Sequence, residues 1–171
     1  GVEAPVQALA LGDPWQARAA LIARSIRAHA PSPLLDAWKA RDETDPIALR
    51  RRAGLRAAAQ DHSGAVADYL EVVATTGRDL SIVAPLVQSS TQGAQIATTL
   101  LGAEAVVREQ PGASAAWMVI GLLSSLIGDD GATIDALQMA EAQGVSLGEG
   151  PRQSLERARA SQSKQPEQPA G

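Results

Sequence analysis

The sequence predicts an all-α fold made of helix hairpins stacked side by side, and three observations lead to this prediction. Of the 171 residues, 45% are hydrophobic but only 2% are aromatic, so Ala, Leu, Val and Ile supply the apolar surface. Ala is the best helix former and lets helices approach closely, whereas sheets favour β-branched and aromatic residues. Helix-starting signals recur along the chain, and one helix-turn-helix stretch is repeated.

The helix starts are marked by a capping residue followed by a proline, and several helix ends are marked by glycine. A side-chain oxygen caps the helix and the proline takes its first position in the pairs Asp13-Pro14, Ser32-Pro33 and Asp45-Pro46. Behind them, apolar residues return at intervals of three and four. Left-handed helix ends are predicted at Gly77, Gly128 and Gly144. The predicted helices lie near 14–29, 33–42, 46–60, 64–75, 80–91, 94–109, 114–127, 131–143 and 151–162.

An internal repeat predicts how these helices are arranged. Residues 54–70 align with residues 121–137 without a gap and match at six positions, at an offset of 67 residues. Half of this offset is about 34 residues, and another helix-turn-helix unit lies midway. Each unit leaves an apolar face that only its neighbour covers, so the charged helix 151–162 is predicted to close the stack as a polar cap.

The repeat also places a glycine inside a helix in two of the units. A glycine there costs about 1 kcal/mol relative to Ala, which implies a compensating contact. Gly54 and Gly121 are therefore predicted to lie where a neighbouring helix approaches the backbone.

A unit of this length resembles the tetratricopeptide repeat (TPR). In the last unit the family's pattern falls at or within one residue of Trp117, Ile120-Gly121, Gly128-Asp129, Ala132, Ala136-Leu137 and Ala140, after Pro111. In the second unit the pattern retains Gly54, Ala65, Tyr69-Leu70 and Val73. Other α-solenoids with similar periods fit the spacing as well.

The resemblance implies a domain organisation. It predicts a right-handed α-solenoid of three to four TPR-like helix hairpins plus a C-terminal capping helix, over residues 14–162. Residues 1–13 are predicted to be an N-terminal extension or short helix. Residues 163–171 contain two prolines and no apolar residue larger than Ala, so they are predicted to be a disordered tail.

The resemblance also implies a function. In this family the first helix of each unit lines a concave groove that binds a peptide or a protein. Transferred by position, the groove residues are Arg51, Leu55, Ala84, Gln88, Met118, Leu122 and Ser125. The implied function is a protein-protein interaction scaffold or assembly factor. The chain contains no Asn, so the carboxylate clamp of the family is absent in its usual form.

Two other functions fit the sequence. One is a helical domain that binds a small apolar ligand between its helices, and the other is a structural subunit that self-assembles by repeat stacking, which leaves a homo-oligomer open. An enzyme is not predicted, and neither is a cofactor or a metal, because the chain has no Cys, no nucleophile motif and two separated histidines, His29 and His62. Both histidines lie near predicted helix ends, where a structural role or contact with water is expected.

Charge and hydropathy bear on the partners. A net charge of −4 favours neither nucleic acid nor an anionic membrane, and no run approaches the roughly 18 apolar residues of a membrane span. The Ala-rich, Arg-over-Lys composition indicates a bacterial source. Whether the chain is cytoplasmic or periplasmic stays open, since an export signal or anchor before Gly1 is compatible with the sequence.

Two charged clusters are candidate sites. Arg50-Arg51-Arg52 with Arg56 suits a carboxylate or an acidic peptide, because guanidinium groups present a rigid fork of donors. The alternative is a solvated face neutralised by the upstream residues Asp42, Glu43 and Asp45. Asp129-Asp130 is predicted to cap helix 131–143, since two short carboxylates hold a cation poorly without further ligands.

Overall fold

The computed structural model describes residues 45–164, which form seven α-helices and one short 3₁₀ turn, with no β-strand among them. The helices are α1 Pro46–Ala58, α2 His62–Thr76, α3 Val83–Gln92, α4 Ile96–Glu109, α5 Ser114–Ile127, α6 Asp130–Ala142 and α7 Glu149–Gln162. The all-α prediction is confirmed for this part of the chain. The predicted helices 14–29 and 33–42 and the extension 1–13 lie outside the described residues, as does the predicted tail beyond Lys164.

All predicted boundaries in the described range but one, the start of α3, are correct to within two residues, and two of the differences have local causes. The helix predicted at 80–91 begins with the 3₁₀ turn Leu80–Ile82, where the Asp79 carboxylate accepts a hydrogen bond from the backbone N–H of Ser81 over 3.1 Å. Helix α1 ends at Ala58, before the predicted residue 60, because Gln60 adopts a positive φ of 64° that a helix does not tolerate.

The predicted caps are present wherever the structure describes them. Asp45 accepts hydrogen bonds from the backbone N–H groups of Ile47 at 2.9 Å and Ala48 at 3.4 Å. Asp129 accepts one from Ala132 at 3.0 Å, which confirms its predicted role as a cap. The three predicted stop glycines have the expected positive φ values: 64° at Gly77, 78° at Gly128 and 86° at Gly144.

Helices that follow one another in the chain pack against one another. The closest hairpins are α1 with α2 and α5 with α6, whereas α3 and α4 touch less and pack on α2 and α5 instead. Further contacts join alternate helices, namely α2 with α4, α3 with α5 and α5 with α7. Within residues 45–164, neither α1 nor α2 packs substantially on α6 or α7. Every helix in this range is too short or too polar to span a lipid bilayer.

The buried positions recur with the period found in the sequence. In the first helices of three successive hairpins, equivalent core residues are Leu49, Val83 and Ala116. In the second helices they are Val73, Val106 and Ala140. Each step between these residues is 33 or 34 positions, in agreement with half of the repeat offset. The buried positions of the first six helices therefore recur with this period, and α7 follows them, burying Leu155 and Ala158 and exposing its charged residues.

The two glycines matched by the repeat have different surroundings. A Cβ atom placed on Gly121 would lie 2.6 Å from both Cγ and Cδ2 of Leu137, which confirms the predicted close approach of α6. A Cβ atom on Gly54 would meet only the hydroxyl of Tyr69 among the described residues, at an ordinary 3.8 Å. Among the described residues, no helix approaches Gly54 as closely as α6 approaches Gly121.

Candidate binding cleft between α1 and α3

The four clustered arginines of α1 have different environments. Arg52 is only 7% exposed, and its Nε donates a hydrogen bond to Asp68 Oδ2 over 2.7 Å while its Nη2 donates to Asp68 Oδ1. Arg56 donates from Nη1 to the same Oδ2 over 3.0 Å. The guanidinium of Arg50 lies 3.6 Å from the carboxylate of Asp79. Three of the four guanidinium groups are therefore turned towards carboxylates of α2 or of the segment after it.

The interpretation of this cluster as one solvated, charged face is wrong, because Arg52 is buried within the first hairpin. Among the described residues, the carboxylates that pair with the cluster come from downstream in the chain, and Asp45 caps α1. Asp42 and Glu43 lie outside the described residues. Arg51 is exposed and forms no ion pair or hydrogen bond with any residue in 45–164, so it keeps the predicted capacity to receive a carboxylate.

A cleft lies between α1 and α3, with Tyr69 of α2 at its base. It consists of two adjoining cavities of about 370 and 340 Å³. Both are lined by Gly54, Ala58, Tyr69 and Pro85. The first cavity is also lined by Arg50, Arg51 and Leu55, and the second by Ala57, Gln60, Gln88, Ser89 and Gln92. The small residues of α1 leave the space that the cleft occupies.

Tyr69 is the most distinctive side chain of this cleft. It is only 5% exposed, yet its hydroxyl has no hydrogen-bond partner among the described residues and lies beside Gly54. Burial raises the pKa of Tyr69; the nearby charge of Arg50 opposes this rise and that of Asp68 adds to it. The hydroxyl itself is not fully buried, so it is available to a group bound in the cleft.

The structure brings part of the predicted groove to this cleft. Arg51, Leu55 and Gln88 line it, and the exposed Ala84 is next to the lining residue Pro85. The other three predicted residues, on α5, line neither cavity: Met118 is buried, and Leu122 and Ser125 are half-buried.

Sequence analysis did not select Tyr69 or Gly54 as site residues. Tyr69 falls on the second helix of its unit, so transfer by position from a family whose groove uses first helices passes it over. The available signal was chemical, since the only tyrosine of the chain carries a hydroxyl that is able to donate a hydrogen bond to a ligand.

His62 has a structural environment. It is buried at the first residue of α2, its Nε2 lies 3.3 Å from Oε1 of Gln60, and its Cβ abuts Gly93 at the end of α3. Its place at a helix end is confirmed, but the expected contact with water is wrong because the end of α3 covers it. His29 lies outside the described residues. Within 45–164, no group of three or more His, Asp or Glu side chains is placed to hold a metal ion.

No protein-family model matches the chain, and no curated protein and no solved structure matches it either. The resemblance to the TPR family therefore depends on the residues of the chain and on the arrangement of its helices.

Proposed function

We propose that this chain is a protein-protein interaction scaffold or assembly factor, built as a short α-solenoid of TPR-like hairpins, and that it holds a partner peptide in the cleft between α1 and α3. The observation that carries the proposal is the position of this cleft. It lies between the first helices of two successive hairpins, which is where helical repeats form their concave binding surface.

The order of helix contacts supports a solenoid. Each described helix packs mainly on helices within two positions of it in the chain, as expected for a stack of repeats and not for a closed bundle. The core positions that return every 33 or 34 residues add to this, because equivalent units must present equivalent faces to their neighbours. The charged outer surface of α7 suits the last element of such a stack.

The dimensions of the cleft favour a short extended segment as the ligand. The lining residues of α1 run from Arg50 to Ala58, roughly 12 Å along the helix at about 1.5 Å per residue. An extended peptide advances about 3.3 Å per residue, so about three residues of a partner fit along this length. Gln88 and Gln92 are exposed on the α3 side and offer both donors and acceptors to a peptide backbone.

Filling the cleft is expected to abolish peptide binding while leaving the fold intact. Peptides would be selected from a displayed random library against the whole chain, and their affinities measured by calorimetry. Ala58 is exposed, ends α1 and lines both cavities, so Ala58→Trp places a large side chain in the cleft without entering the core. We expect an affinity loss of at least about tenfold, since the indole occupies the volume of the ligand.

The matched control is Ala142→Trp. Ala142 is also exposed and also ends its helix, α6, but it lines neither cavity. This variant should bind the selected peptides as the unmodified chain does. Peptides that bind both tryptophan variants equally well, or a selection that yields no binding peptide, would show that the cleft is not the binding surface.

A further inference from the structure

We infer that the cleft between α1 and α3 selects peptide segments that carry a carboxylate, which the guanidinium of Arg51 and the hydroxyl of Tyr69 hold together. This inference depends on the proposed function and specifies the chemistry of its ligand. Both side chains line the same cavity of about 370 Å³.

The charge of the cleft differs from that of the chain. The whole sequence has 19 acidic and 15 basic residues, whereas the described lining of both cavities contains Arg50 and Arg51 and no carboxylate. Arg50 already lies 3.6 Å from Asp79, but Arg51 has no partner within residues 45–164. A carboxylate brought by a partner would complete an ion pair at Arg51 and meet no acidic group in the lining.

Tyr69 supplies the second donor. Its pKa is raised, chiefly by burial, so the hydroxyl stays protonated through neutral pH and is able to donate. An ionised carboxylate only accepts hydrogen bonds, and bonds of this charge-assisted kind are about twice as strong as neutral ones. A bound carboxylate would therefore give the accessible Tyr69 hydroxyl a partner that the described residues do not supply.

The source of the carboxylate is an Asp or Glu side chain or the free C-terminus of a partner, and three peptide libraries separate these cases. All are N-acetylated pentapeptide mixtures. One has Glu at its centre and an amidated C-terminus, the second has Gln at its centre and an amidated C-terminus, and the third has Gln at its centre and a free C-terminal carboxylate. Affinity is measured by competition with a fluorescent peptide from the library selection.

We expect at least one carboxylate library to bind about tenfold more tightly than the amidated Gln library, and this preference to weaken as salt is raised. A preference for the Glu library identifies a side-chain carboxylate, and a preference for the free-terminus library identifies a C-terminal one. Arg51→Glu should abolish either preference. Arg157→Glu makes the same change of net charge at an exposed site on α7, outside both cavities, and should leave the preference unchanged.

The single tyrosine of the chain gives a readout independent of affinity. Its ionisation is followed by the ultraviolet absorbance of the phenolate. A carboxylate bound beside Tyr69 should shift this ionisation to higher pH than the Gln peptide does, and Tyr69→Phe should weaken binding of the carboxylate library only. Equal affinities of all three libraries, each lost in Ala58→Trp, would overturn the inference while the proposed function stands. Failure of the proposed function itself would be seen separately, as selected peptides that bind Ala58→Trp as tightly as they bind the unmodified chain.

Discussion

Replacing Asp68 with alanine is expected to lower the free energy of unfolding by about 3 kcal/mol or more. The Asp68 carboxylate is buried in the first hairpin and accepts hydrogen bonds from Arg52 and Arg56. Its removal takes a paired carboxylate from a guanidinium that is only 7% exposed, and such a change costs far more than the loss of a surface ion pair. Urea unfolding followed by circular dichroism measures the effect.

The internal repeat provides the control for this variant. Asp135 aligns with Asp68, but it is exposed on α6 and has no partner within residues 45–164. Asp135→Ala should change the free energy of unfolding by less than about 0.5 kcal/mol. If the two variants lowered the free energy of unfolding by similar amounts, the buried ion pair between Arg52 and Asp68 would not stabilise the first hairpin.

Replacing each of the two matched glycines with alanine is expected to change the free energy of unfolding in opposite directions. At Gly121 the new methyl group would lie 2.6 Å from the fully buried side chain of Leu137, and overpacking of this kind typically costs about 1–3 kcal/mol. The better helix propensity of Ala returns about 1 kcal/mol, so Gly121→Ala should lower the free energy of unfolding by up to about 2 kcal/mol. At Gly54 the methyl group meets ordinary contacts, and Gly54→Ala should raise it by up to about 1 kcal/mol.

Thermal and urea unfolding of both glycine variants, measured side by side, check this pair of predictions. The difference between them depends only on what lies next to each glycine, because the substitution and its place inside a helix are the same. A stabilised Gly121→Ala would show that α6 does not approach α5 as the structure places it.

The parts of the fold that could be predicted from the sequence are those determined by neighbouring residues. A helix cap such as Asp45 bonds to N–H groups two and three positions away, and a left-handed stop such as Gly128 depends on its own φ. The spacing of 33 or 34 residues between equivalent buried positions could be predicted as well, because the internal repeat aligns apolar residues at half of its offset.

The side-chain partners could not be predicted, because they depend on how helices sit against one another. Leu70 and Leu137 are equivalent in the repeat, yet Leu137 covers Gly121 within its own hairpin while Leu70 packs on Gly102 of α4. The glycine that each leucine contacts therefore differs between the two hairpins. Gly54 has no leucine against it among the described residues, and it lines the cleft instead.

The charge cluster shows the same limit. Four arginines within one helix look alike in the sequence, but only their orientation separates Arg52, buried against Asp68, from Arg51, which lies exposed at the cleft. Of the groove residues predicted along three first helices, Arg51, Leu55 and Gln88 on two of them line the cleft, and Met118, Leu122 and Ser125 on the third line neither of its cavities.

Hydrogen exchange of the whole chain, with and without a peptide from the library selection, tests most directly whether a partner binds between successive hairpins. The account predicts added protection in α1, in α3 and around Tyr69 of α2, and unchanged exchange in α6 and α7. Protection centred on α6 and α7, with α1 and α3 unaffected, would contradict it.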